Sequence, residues 1–285
     1  MENIHTIQRR IKGINSISKI SRAMEMIATS KMKNTQQRDI EGRPYAEKFL
    51  EVISVLAAVT SKEEIHPLLD RRVVNNIAIV HITPDRGLCG GLVANINREI
   101  GRFVRRRRGK VSFICVGRKG LDYVRMTRRN VIAEFTGLGD KPSFVDTLAI
   151  SRILIEEYEQ GIIDGAYLSY TRFISTLHQE PVIQPVLPIT LAEIPDTKDF
   201  EHEYEPDPHT ILGELLSRFI EAEVYHAILE SIASEQSART VAMKNAMENA
   251  SALTHELTLQ YNKARQEAIT EELLDITGGV EALND

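Results

Sequence analysis

The stretch Asp85-Arg86-Gly87-Leu88-Cys89-Gly90-Gly91-Leu92 gathers the residue types from which phosphate cradles and thiol sites are built. It stands between a β-branched run and a helical run, the place where nucleotide sites are made. Its spacing is neither GxGxxG nor that of a Walker A loop, and no Lys-Ser/Thr follows the glycines. A tight strand-to-helix turn needing glycine dihedrals accounts for it better than a nucleotide does. Cys89, at a helix start, would be a nucleophile only with a lowered pKa and a base beside it. His81 and His178 are the candidate bases, and nothing in their spacing brings either to the thiol.

Other polar groupings are less specific. Arg102, Arg105, Arg106, Arg107, Arg108 and Lys110 form a basic knot at the end of a helical stretch. It either complements the helix dipole from solvent or meets a partner subunit. No aromatic residues are interleaved as a single-stranded nucleic-acid platform requires. The acidic turn Glu203-Tyr204-Glu205-Pro206-Asp207-Pro208 is a helix lead-in or an exposed contact foot. Paired carboxylates, a metal cluster and a catalytic triad do not emerge, so no catalytic residue, metal or cofactor is expected. With 35 Lys and Arg against 40 Asp and Glu, the net charge of −5 gives no case for nucleic acid. Cys89 and Cys115 lie far apart and read as buried reduced thiols of a cytosolic protein. The chain has no apolar run near the ~20 residues of a membrane span, so membrane association would come through a partner. The first residues lack the apolar core of a signal peptide.

The elements that would hold these residues are unequal in length. From Glu214 to Thr277 there is neither Gly nor Pro, with Gly213 and Gly278-Gly279 as punctuation. Such a helix would be roughly 95 Å long at ~1.5 Å per residue, too long for its own chain's core. Leu212, Leu215, Phe219, Ala222, Tyr225, Leu229 and Ile232 step by three and four, as in a coiled-coil seam. Ala238, Ala242, Ala246 and Ala250 continue it with small residues, and Leu253, Leu257, Tyr261, Ala264, Ala268 and Leu274 carry it to the end. A second long helix is expected over 1–60, with Ile4, Ile7, Ile11 and Ile14 joined by a stammer to Ile17, Ile20, Met24 and Ile27. Gly42-Arg43-Pro44 predicts a break or kink in it. Its first part is basic, which reads as a solvated face or as passage along an acidic partner.

Between the helices the period changes. Strands are expected at 77–83, 111–116, 131–135, 166–172 and 181–189, and helices at 92–107, 120–126 and 144–160. The reading is an α/β fold: a long antiparallel coiled coil of N- and C-terminal helices with an inserted Rossmann-like α/β domain. The divisions are 1–60, 73–190 and 209–283.

Four stretches carry a resemblance. Ile17-Ser18-Lys19-Ile20-Ser21-Arg22-Ala23-Met24-Glu25-Met26-Ile27-Ala28-Thr29-Ser30-Lys31-Met32, the loop Asp85–Leu92, the run Ser234–Ala246 and the run Tyr261–Glu272 resemble signatures of the gamma subunit of F-type ATP synthases. The resemblance implies a rotating central stalk without bond chemistry of its own, standing in a ring of alternating alpha and beta subunits. Its base would sit on the membrane c-ring with epsilon, on the cytoplasmic face of a bacterial membrane. It further implies that Arg265, Gln266 and Thr270 touch the beta loop that catches the shaft. Met24 would pass the acidic lever of beta, and Tyr204 and Glu205 would meet the c-ring and epsilon. Val93 stands where the family usually has Asn, and the plant-type cysteine insert is absent.

Overall fold

The computed structural model describes residues 4–59, 66–190 and 207–282. Within it the chain divides into two compact units, 1–27 with 240–285, and 28–239. Two long helices contribute to both units: α1, Ile4–Val59, and α5, Pro208–Ala282.

The unit 28–239 is built on a five-stranded sheet. Its strands are β1 (Asn76–Ile82), β2 (Lys110–Val116), β3 (Asn130–Phe135), β4 (Gly165–Phe173) and β5 (Gln179–Leu187). The order is β3-β2-β1-β4-β5, parallel except for the β4–β5 hairpin. Crossovers run through α2 (Leu92–Arg106), α3 (Arg118–Met126) and α4 (Phe144–Glu159). All five strands and three helices lie where the sequence places them, within a few residues at their ends. The order 3-2-1-4 is that of a Rossmann half, closed by an antiparallel edge.

Alternate residues of the strands go to opposite faces. Ile77, Ile79, Phe113 and Cys115 pack with Ile100, Val104, Leu121 and Val124 of α2 and α3. Ala78, Val80, Ile82, Ile114 and Val116 pack with Ile150 and Leu154 of α4, and also with Ile53 and Leu56 of α1. Both faces are covered, which is why the strands read as continuous apolar runs. On that second face α5 adds Leu212, Leu216, Phe219, Ile220, Val224, Ala227, Ile228 and Ile232. The single seam expected there leaves out Leu216, Ile220, Val224, Ala227 and Ile228, which all belong to the core against the sheet. Here α5 buries a broad face.

The helix ends differ from expectation. Asp207 caps α5, its carboxylate accepting from the Thr210 backbone at 2.9 Å, and Pro208 follows at the first helical position. Gly213 and Gly278-Gly279 lie inside α5, because glycine weakens a helix by only about 1 kcal/mol. The break expected at Gly42-Arg43-Pro44 is absent: α1 stays helical through it. Proline removes one hydrogen-bond donor there, and packing at both ends of a long helix outweighs that loss.

The seam of α1 also departs from the stammer. Ile7, Ser21, Ala28 and Thr35 are buried, and with half-buried Ile14 they keep a strict seven-residue period. Ile17, Ile20 and Ile27 are each more than half exposed. Beyond Ile14, small and hydroxyl side chains hold the packed row, and Ile17, Ile20 and Ile27 lie outside it. In α5, Met243, Ala250 and Leu257 are buried at the same period, whereas Leu253 and Leu274 are exposed. Thr254 Oγ1 reaches Asn15 Oδ1 at 3.4 Å, and further along Asp140 accepts from both Lys31 and Gln236. Within the unit 28–239, Lys31 meets Asp140 beside Gln236 while Ile53 and Leu56 share a cluster with Leu212 and Leu216, so there the helices run antiparallel.

Candidate functional site

The polar groups of the unit 28–239 converge at the carboxyl edge of the sheet, and the loop Asp85–Leu92 is at their centre. Asp85 accepts from the Arg118 backbone through one oxygen and from the Gly137 backbone through the other, both at 2.9 Å. One carboxylate thus ties the loop after β1 to those after β2 and β3. Gly117 packs so closely that a Cβ there would lie 1.8 Å from the Thr83 carbonyl oxygen, at φ +90°. Within the loop, Gly90 takes the left-handed conformation, and so does Leu88 at φ 67°. The turn reading holds, although the glycines share the unusual dihedrals with an exposed leucine.

Against this edge lies α5 with a run of buried polar residues. Ser234 Oγ donates to the Thr171 carbonyl and Ser237 Oγ to that of Thr176, both at 2.9 Å. Gln236 donates to Asp140 at 3.1 Å, and Lys31 of α1 pairs with the other Asp140 oxygen. Arg239 donates to Glu235 at 2.7 Å and to the Gly87 carbonyl at 3.2 Å. Burial raises the Glu235 carboxyl pKa, and the neighbouring Arg239 charge opposes that shift. The loop therefore presents Gly87 as an acceptor to a guanidinium, the polarity opposite to a phosphate cradle. Sequence reasoning did not single out Ser234, Gln236, Ser237, Arg239, Asp140 or Lys31 for this role. The available signal was a cluster of polar side chains interrupting an apolar helix stripe.

The thiol and histidine candidates resolve as structure. Cys89 is buried and its thiol pKa is raised by that burial, then by the nearby Glu235 charge. The helix start does not activate it. Cys115 is pushed up to about 12 by the same desolvation. His81 is fully buried, with Nδ1 3.1 Å from Ser169 Oγ and Nε2 2.9 Å from Asn97 Oδ1. Asn97 Oδ1 can only accept, so Nε2 carries the proton and Nδ1 accepts from the serine. Burial lowers its pKa to about 4, against a smaller opposite pull from the Asn97 hydrogen bond. His178 is exposed at the β4–β5 turn. Among the described residues no group of three or more His, Cys, Asp or Glu could hold a metal ion.

The expected contact residues occupy two places. Arg265, Gln266 and Thr270 are exposed on one stretch of α5, and Thr270 Oγ1 donates to the Gln266 carbonyl at 2.9 Å. The Arg265 and Gln266 side chains have no hydrogen-bond or ion-pair partner among the described residues, so their donors are available. Met24 is half-buried on α1. With Asn15 opposite Thr254, Met24 falls opposite the region of Asn245, roughly 30 Å along the helix from Arg265. The structure does not bring Met24 to the other three. Tyr204 and Glu205 lie outside the described residues.

A family model described as ATP synthase matches residues 3–283. The ATP synthase gamma chain of Dehalococcoides mccartyi (strain CBDB1) is 57% identical over 284 residues, covering 99% of this chain and 100% of its own. That of Roseiflexus sp. (strain RS-1) is 42% identical over 287 residues, covering 99% of each chain. A chain of the Tetrahymena thermophila mitochondrial ATP synthase, solved as central stalk and c-ring, superposes with a TM-score of 0.62 at 26% identity. The match covers 80% of this chain and 99% of that one. Antiparallel long helices, a Rossmann-like sheet clamped onto one of them, and full-length likeness at this identity agree: the chain belongs to the ATP synthase gamma chain family.

Proposed function

We infer that the chain is the non-catalytic central-stalk rotor of an F-type ATP synthase, coupling proton-driven rotation of a c-ring to the cycling of catalytic sites on beta subunits. Within family membership, the observation that carries the mechanical part is the far end of α5. Past the stretch opposite the start of α1, it continues with Ile269, Leu273, Leu274 and Ile276 each about half exposed or more. Arg265 and Gln266 stand at its base with unused donors. A helix end of this kind is completed by a surrounding partner with apolar walls and a few acceptors.

The partners proposed are a ring of alternating alpha and beta subunits around the shaft, with epsilon and the c-ring at its base. Arg265, Gln266 and Thr270 meet the beta loop that catches the shaft, and Met24 passes the acidic lever of beta. Tyr204 and Glu205 form the foot on the c-ring and epsilon. No helix among the described residues is long and apolar enough to cross a membrane. The chain is then held peripherally at the cytoplasmic face of a bacterial membrane by its partners. The shaft acts by binding the conformations of beta unequally as it turns, which shifts their populations. The belt from Ser234 to Arg239 supports this reading, because it fixes the sheet domain to the shaft and lets a torque on one act on the other.

Reconstitution tests it. Cognate alpha and beta subunits with this chain should give a defined complex whose ATP hydrolysis far exceeds that of alpha and beta alone. Stoichiometric assembly with unchanged hydrolysis would leave a scaffold and remove the rotor role.

A further inference from the structure

Beside the basic knot at the end of α2, a cavity of about 390 Å³ opens between α2 and α3. Its floor is apolar: Ile100, Val104 and Phe113, all buried. Its rim carries Arg98, Arg105 and Arg129 together with Tyr123, and no carboxylate lines it. None of the three guanidinium groups pairs with a carboxylate among the described residues. Arg98 reaches only Asn95 Oδ1, at 3.5 Å, and Arg105 uses its Nε on the Gly101 carbonyl at 3.2 Å. Gly101 keeps the wall open, since a Cβ there would lie 2.5 Å from the Tyr123 hydroxyl.

Helix carboxyl ends disfavour anions, and both helices end near this cavity. Those ends are already answered locally. Thr127 Oγ1 donates to the carbonyls of Tyr123 and Val124, each at 3.0 Å, and the Arg129 backbone also donates to Val124. The terminal guanidinium nitrogens of Arg105 and Arg129 therefore remain as unused donors. Three guanidinium groups around one space call for more than a single negative charge, and their fork geometry suits phosphate oxygens. A bare anion would leave the half-buried Tyr123 ring on the wall unused. The volume is of the size that holds small molecules, about 300–1,000 Å³.

We propose that the α2–α3 cavity binds a small phosphate ester, the phosphate held by Arg98, Arg105 and Arg129 and an aromatic body resting against the half-buried Tyr123 ring. This site is on the opposite edge of the sheet from the Asp85–Leu92 loop, and it does not depend on the rotor reading. Equilibrium dialysis of the full chain at physiological salt would compare ADP, which has an aromatic body, with pyrophosphate, which has none. Saturable binding of one ADP per chain is expected, with pyrophosphate at least tenfold weaker. Arg98→Ala and Arg129→Ala should each weaken ADP about tenfold while the thermal midpoint stays unchanged, both side chains being exposed. A ring-proton shift of Tyr123 on adding ADP, absent in Tyr123→Phe, would place the ligand. Equal retention of pyrophosphate and ADP, binding unaffected by both arginine variants, or no binding would each overturn the proposal.

Discussion

His81 shows how little a residue type says until its surroundings are known. In sequence it was a candidate base by residue type alone, with nothing in its spacing to bring it to the thiol. In the fold it is a neutral, doubly bonded core residue beneath α2, edge-on to Phe113 at 6.4 Å between ring centres. Its folded pKa, about 4, lies below the unfolded value, so the unfolded chain binds more protons between them. The stabilisation is complete above pH ~6.5 and is lost as pH falls toward 4, to a total of about 3 kcal/mol. Denaturant midpoints at pH 7 and pH 5 should therefore fall further apart for the native chain than for His81→Gln. Equal differences in the two proteins would refute the assignment. Neither hydrogen bond is visible in sequence, because Ser169 lies 88 positions away on a neighbouring strand.

At the scale of elements, the long helices carry two kinds of apolar surface that their sequences do not separate. The packed row of α1 includes Ser21, Ala28 and Thr35, and the exposed row contains Ile17, Ile20 and Ile27. A reading by hydrophobicity follows the isoleucines, since they give the stronger periodic signal. Packing follows shape, because small residues allow a close helix approach. Ala28 is 1% exposed, so Ala28→Leu should overpack its site and cost about 1–3 kcal/mol in the isolated chain. Ile20, 60% exposed, should tolerate Ala within about 0.5 kcal/mol. Urea denaturation of the two variants measures both, and the reverse ranking would show that the seam has been assigned to the wrong row. In the sheet domain the agreement is closer, because strands covered on both faces announce themselves as β-branched runs between glycine turns.

For the whole molecule, the buried polar belt and the exposed helix end assign different work to the two units. Arg265→Ala with Gln266→Ala should leave helicity and the denaturation midpoint of the isolated chain unchanged, since both side chains are exposed and neither has a partner among the described residues. In the assembled complex the same pair should lower ATP turnover several-fold. Full turnover in a complex of verified composition would remove Arg265 and Gln266 from the catch. A loss of stability in the isolated chain would show instead that they hold the fold.

The sequence by itself determined that two long helices flank a strand–helix alternation, that neither a nucleotide loop nor a triad is written in its motifs, and which signatures it shares with its family. Those are local facts, carried by period, punctuation and short motifs. The tertiary structure decided which stripe of each helix is core, that α1 passes unbroken through Pro44, and that Glu235 to Arg239 clamp the loops. It also decided that three arginines from two segments share one cavity. Such outcomes depend on residues far apart in the chain meeting at hydrogen-bond distance. Burial then fixes whether a polar side chain becomes a structural partner or stays free to meet another molecule.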